Sequence, residues 1–251
     1  MTPLGPTSGV TTSDATPGVQ GSGADHLAYL ASESAAIAAV LRSTPLGTPV
    51  SDCPGWTLGD LARHVGALHR WAAVLVSTGE RSRLPAVDVT DEDLAAWFED
   101  GGRDLGAVLA EVDPASPCWT LTGPGTAGFW RRRMALETAV HRVDAERDRG
   151  TAGPIADDLA EDGVAEVLEM MLPRQIELER LPSPGTGVML VAQTSGRSWL
   201  LGPAPAAATV SGPAGALFLL LWRRTSRTDP ALDCQGDLAA LDALLALSLT
   251  P

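Results

Sequence analysis

The chain has 251 residues, 45% hydrophobic and 20% charged, which is enough for one large or two modest domains with their own cores and excludes a disordered or fibrous chain. Its formal net charge is −13, from 31 acids against 18 bases, every base being Arg, so most of its surface repels a phosphate backbone and nucleic acid is excluded as a partner. The longest apolar run, Ala214 to Trp222, stops at nine residues. A membrane span needs roughly 20, so the expectation is a soluble protein with no membrane partner.

Residues 1–24 are rich in Thr, Ser, Gly and Pro, lack a basic start and an apolar centre, and read as a disordered tail rather than a signal peptide. Cys53, Cys118 and Cys234 are odd in number and widely spaced, which suits reduced thiols in a cytoplasm.

From Asp25 apolar residues recur at three- and four-residue steps through Leu27, Leu30, Ile37 and Leu41, predicting a first helix that stops at Pro45-Leu46-Gly47. The turn Asp52-Cys53-Pro54-Gly55-Trp56 precedes a second, with Thr57 and Asp60 in capping-box spacing, Trp56 and Leu61 placed to staple its entrance, and an end near Gly79. A third is predicted from a cap at Thr90 through Leu109, with Gly101 and Gly102 weakening its middle. Asp113 to Gly128 reads as a long crossover loop, and Phe129 to Arg149 as a fourth helix ending at Gly150.

Four helices over 25–150 predict a bundle, and the Gly and Pro cluster at 150–154 marks a domain boundary. Beyond it a helix over Asp157 to Glu179, bent near Pro173, is followed by strands at Gly187 to Gln193, Arg197 to Leu201 and Ala207 to Val210. A short apolar helix (Pro213 to Arg224), a strand at Ala231 to Gln235 and a final helix (Asp237 to Leu247) complete a smaller unit over 151–251. The fold class is therefore α+β.

There are four His. His26 opens the first helix as a surface or capping residue. His64 sits at the edge of the inward stripe of the second helix, and His69 on its opposite shoulder. Glu137 and His141, four apart, share a face of the fourth helix with Trp130, Met134 and Ala145. A buried carboxylate needs a compensating charge, and two ligands one turn apart can chelate an ion at roughly 2.0–2.2 Å. His64 as third ligand gives the two-His, one-Glu set of catalytic zinc sites, with one position open. Spacing alone leaves a plain buried Glu–His hydrogen bond equally admissible.

The stretch DCPGWTLGDLARHVGALHRWAAVL (Asp52 to Leu75), with FWRRRMALETAVHRVDAE (Phe129 to Glu146), resembles the two hallmark segments of the mycothiol-dependent maleylpyruvate isomerase family, which belongs to the DinB/YfiT-like four-helix bundles. ATVSGPAGALFLLLWRR and DCQGDLAALDALLA are similar to the family's small C-terminal α+β (SCP2-like) domain. The resemblance implies that His64, Glu137 and His141 bind Zn2+. It also implies that mycothiol, a low-molecular-weight thiol, serves as cosubstrate, its metal-bound thiolate attacking an electrophilic small molecule. Adding the thiolate to maleylpyruvate, rotating the resulting single bond and eliminating gives the trans isomer; thiol transfer onto another electrophile shares the first step.

Val143 and Leu136 stand where many family members have Trp and His. The resemblance points to an arginine of the second domain for an anionic substrate, at Arg224 or else Arg223; capping the apolar helix is the competing role. Asp144 could orient His141 from behind. Arg131, Arg132 and Arg133 read as a solvated face with one inward member, Cys53 as a packing or turn residue without an evident His partner, and Trp56 and Trp71 as pocket or core walls. The expected partner is a small electrophile, the expected state a monomer or small homo-oligomer. The alternatives are a metal-free ligand- or protein-binding module and a metal hydrolase that uses no thiol.

Overall fold

A computed structural model describes residues 24–250, so the tail predicted over residues 1–24 lies, but for Ala24, outside the described residues. The fold is α+β. Four long helices come first: α1 (His26–Ser43), α2 (Leu58–Thr78), α3 (Leu94–Glu111) and α4 (Ala127–Arg147). Each of α1 and α2 packs on both α3 and α4. Asp25 caps α1 by accepting from the Ala28 amide, 3.2 Å away. Thr57 and Asp60 close the expected capping box on α2, which ends at Gly79 in the left-handed conformation with φ +73°.

Two expectations need correction here. Thr90 does not cap α3; its hydroxyl bonds the Asp93 carboxylate in a preceding turn, and the helix starts at Leu94. Gly101 and Gly102 do not weaken it, because they are where neighbours press closest: a Cβ on Gly101 would lie 2.1 Å from an Arg70 Nη1. The predicted crossover loop contains an antiparallel hairpin, β1 (Pro117–Thr120) with β2 (Gly123–Thr126).

After the turn at Gly150, α5 (Asp157–Glu166) runs into a π-helical segment (Val167–Met171) and then α6 (Leu172–Glu177). Pro173 has no N–H to give to Glu169 and its ring crowds that carbonyl, and the widened turn, with Leu172 N bonding Val167 O, accommodates it. The predicted bend is thus a π-bulge.

A four-stranded sheet follows, in the order β4-β3-β5-β6, made of β3 (Gly187–Ala192), β4 (Ser198–Leu201), β5 (Ala206–Gly212) and β6 (Asp233–Gly236). The β3–β5 pair is parallel and the outer pairs antiparallel. Helix α7 (Ala214–Leu221) covers β3 and β5 and packs on α5, and α8 (Leu238–Leu245) lies on β5.

One hydrophobic core runs through both parts of the chain, joining Trp130 and Val140 of α4 to Val164, Val188 and Phe218. A second, smaller core around Ile37, Leu61, Val65 and Phe98 holds α1, α2 and α3 together. Leu136 and Val143 are buried in the first, away from the cavity described next.

Candidate metal centre

Cys53-Pro54-Gly55-Trp56 forms a type II turn, Pro54 at its second position, Gly55 at φ +84° and the Trp56 amide bonded to Cys53 O at 2.9 Å. Gly55 is required there, since a side chain rarely adopts that φ. The turn delivers Trp56 beside the first turns of α2. Its ring centroid lies 4.9 Å from that of His64, and His64 and His141 rings are 5.2 Å apart.

His64, Glu137 and His141 come together as the spacing predicted. Glu137 Oε1 is 3.4 Å from His64 Nε2 and 3.3 Å from His141 Nε2, and the three donor atoms all lie within 4.8 Å of one another. They line a cavity of about 500 Å³ whose walls include Trp56, Trp71, Trp130 and Met134 from the helical part and Met171, Trp222 and Arg223 from beyond Gly150. Burial and the neighbouring charges of His141 and Arg133 push the His64 pKa down to about 4, so its imidazole is neutral with a lone pair to offer. Two neutral-capable imidazole nitrogens and one carboxylate oxygen facing a common point fit a divalent ion such as zinc.

Behind His141 stands Asp144, fully buried, its Oδ2 2.9 Å from His141 Nδ1. Burial pulls the His141 imidazolium down, but Asp144 and Cys53 outweigh it and its pKa lies above the ordinary value. A carboxylate in that place fixes the ring so that Nε2 faces Glu137. Asp144 itself, which burial would raise, is held down to about 2 by His141 and Arg224.

Arg224 lines the cavity beside Arg223, but its guanidinium is engaged with the protein. Its Nε and Nη2 both bond Asp144 and its Nη1 bonds Trp222 O. The residue is placed by a Schellman turn at the end of α7: Arg224 N bonds Leu219 O, Arg223 N bonds Leu220 O, and Arg223 adopts φ +57°. Arg223, exposed at the cavity wall, is left with its guanidinium unpaired among the described residues.

Six side chains acquire partners that the sequence did not reveal. Arg133 is the inward arginine and is buried between Glu137, whose Oε2 it contacts, and Glu166 at 2.6 Å. The compensating charge for Glu137 is therefore present in the protein, yet with both carboxylates ionised the trio still carries one negative charge in excess. Arg131 and Arg132 are not a solvated face: Arg131 bonds Leu109 O, and Arg132 bonds Asp162. Cys53, buried, lies 3.4 Å from Asp144 Oδ2, so it borders the His141 cluster after all. His69 is buried against Phe98, bonds Thr138 Oγ1 at 2.9 Å and takes no part in the cluster. His26 is no simple surface cap, since its Nε2 is 2.8 Å from Asp162 of α5.

Two solved structures share the fold. The crystal structure of the mycothiol-dependent maleylpyruvate isomerase has a TM-score of 0.64 at 16% identity. That of a histidine-to-alanine mutant of the mycothiol-dependent maleylpyruvate isomerase has a TM-score of 0.66 at 15% identity. Each superposition covers 84% of this chain and 91% of the other. A search of curated protein sequences finds no match. The sequence profile of the mycothiol maleylpyruvate isomerase N-terminal domain matches residues 27–146, and that of the MDMPI C-terminal domain matches residues 158–243. Together these two profiles span most of the chain, which belongs to the mycothiol maleylpyruvate isomerase family.

Proposed function

We propose that the protein is a metal-dependent, mycothiol-using enzyme in which a metal-bound thiolate attacks an electrophilic small molecule, leading to maleylpyruvate-type cis-trans isomerisation or to thiol transfer. The observation that carries this reading is the convergence of His64 Nε2, His141 Nε2 and Glu137 Oε1 on one point of a cavity wall. Zinc held there supplies a Lewis acid that lowers the pKa of a thiol, making it a nucleophile at neutral pH.

The chain's own residues do the rest. Glu137, His64 and His141 would hold the ion, while Asp144 keeps the His141 ring turned with Nε2 inward and Arg133 fixes Glu137 through Oε2, leaving Oε1 to the cluster. With Glu137 and Glu166 both ionised, the negative charge left over in their trio with Arg133 favours a cation at the same point. Trp56, Trp71 and Trp130 exclude water from the reacting carbon. Arg223, unpaired and at the wall, is better placed than Arg224 to meet a carboxylate of the substrate.

Residues 25–150 and 151–251 are the two domains of this enzyme in our reading. We assign it to the cytoplasm; among the described residues no helix is long and apolar enough to cross a membrane. One observation favours a second reading, a metal-free binding module: Arg133 already pairs with Glu137. Elemental analysis of protein purified without chelators decides between them. About one zinc per chain supports the enzyme, as a single three-ligand site requires, and a visible spectrum of the cobalt form that changes on adding mycothiol supports thiol ligation. No metal after incubation with zinc favours the module.

A further inference from the structure

Beside the cavity lies an open groove of about 630 Å³ that shares Trp71 and Leu121 with it. The aromatic wall is continuous across the two: Trp130 lies 5.2 Å from Trp71, and Trp71 lies 6.0 Å from Trp119, which faces the groove. The Trp71 indole N–H bonds Ser82 O at 3.0 Å, which fastens to α2 the loop that carries Arg81 and Arg83.

Three arginines line this groove, and none has a carboxylate partner among the described residues. The Arg81 guanidinium sits 5.3 Å above the Trp119 ring. Arg174 donates through Nε to Leu121 O at 2.9 Å, which steadies the group and leaves both Nη nitrogens free. Arg83 is exposed in the same loop. No acidic residue lines the groove, although acids outnumber bases 31 to 18 in the chain. Elsewhere arginines such as Arg42, Arg132, Arg142 and Arg147 are matched with carboxylates. The groove is thus a local positive field on an acidic protein, walled by π-faces and adjoining, at Trp71 and Leu121, the cavity that holds the His64, Glu137 and His141 cluster.

We infer that the groove binds the anionic end of an elongated ligand, a flat or apolar body ending in a carboxylate, sulfonate or phosphate, while its other end reaches the His64, Glu137 and His141 cluster. This rests on the reading of that cluster as the reacting site, and it assigns the electrophile a length and a remote charge that a compact dicarboxylate lacks. Guanidinium forks bind such anions through paired N–H donors, and the indole faces hold the body between the charged end and the reacting end.

The test uses the full chain, stripped of metal with a chelator, and two dyes. 1-Anilinonaphthalene-8-sulfonate carries the anion; N-phenyl-1-naphthylamine has the same ring system without it. Arg81 and Arg83 are exposed and make no hydrogen bond among the described residues, so the double variant Arg81→Ser/Arg83→Ser keeps the fold. The expected result is sulfonate-dye affinity that falls with added salt and is about tenfold weaker in the double variant, with the neutral dye unaffected. The double variant Arg81→Lys/Arg83→Lys retains most of the sulfonate affinity. Equal sulfonate affinity in wild type and the Ser variant overturns the inference, as does a parallel loss of both dyes or no sulfonate binding by wild type. Because no metal is present, the outcome is independent of whether the cluster binds zinc.

Discussion

Arg224 grips Asp144 with two parallel bonds, Nε to Oδ1 and Nη2 to Oδ2, both 2.9 Å. The pair joins the turn after α7 to the back of a metal-ligand candidate on α4, so a residue 80 positions away in sequence sets the orientation of His141. Removing the residue behind a ligating His typically costs about 10–100-fold in metal affinity. Asp144→Asn is expected to weaken zinc binding by that order, and Arg224→Gln to follow it while leaving the Asp144 carboxylate with only His141 and Cys53 as partners, at about 1.5–3 kcal/mol of stability. Zinc competition against a chromophoric chelator, with urea unfolding alongside, checks both. Unchanged zinc affinity in Arg224→Gln, with a raised KM, would return Arg224 to the substrate.

Single replacements His64→Ala, Glu137→Ala and His141→Ala are each expected to lower metal occupancy sharply with most helical signal retained. His64 is half-buried and sits outside the main core, so its variant is the cleanest of the three. Stoichiometric zinc in all three proteins would sink the ligand assignment.

Asp162 provides the acid limb of stability. Burial would raise its pKa, but His26 and Arg132 hold it below the ordinary carboxylate value. A carboxylate lowered in the folded state stabilises fully above its unfolded pKa of about 3.9 and loses that contribution as pH falls through the folded value. Asp162→Asn is therefore less stable than wild type at neutral pH, and the gap narrows in acid. Urea unfolding at several pH values measures it; a gap that stays constant down to about pH 2 contradicts the assignment.

Two glycines separate packing from propensity. A Cβ on Gly163 of α5 would lie 2.6 Å from the fully buried Phe218 ring, so Gly163→Ala is expected to cost about 1–3 kcal/mol despite better helix propensity. Gly106 of α3 has nothing within 4 Å of that position. Gly106→Ala is expected to stabilise by about 0.4–1 kcal/mol. Thermal unfolding shifts of the same sign for both would refute the contrast.

What was legible in the sequence was local. Thr57 with Asp60, Gly79, and the four-residue step from Glu137 to His141 are written within a turn or two of chain, and the structure follows them closely. The β1–β2 hairpin escaped notice because Pro117, Gly123, Pro124 and Gly125 carry loop chemistry; its pairing is made by backbone register across two turn residues. The sequence shows the π-bulge before Pro173 only as a bend, since periodicity cannot tell one extra residue from a kink. Nor could spacing show that Arg133 reaches Glu166 or that Arg224 reaches Asp144, pairs that exist only because α5 and the turn after α7 come back to α4.

The cavity draws its three ligand candidates from before Gly150 and draws Met171, Trp222 and Arg223 from after it. The later stretch thus supplies wall without supplying a ligand candidate, and it reaches the ligand candidates through Arg224 and Asp144. Substitutions at Met171, Trp222 or Arg223 therefore reshape the cavity wall without touching His64, Glu137 or His141.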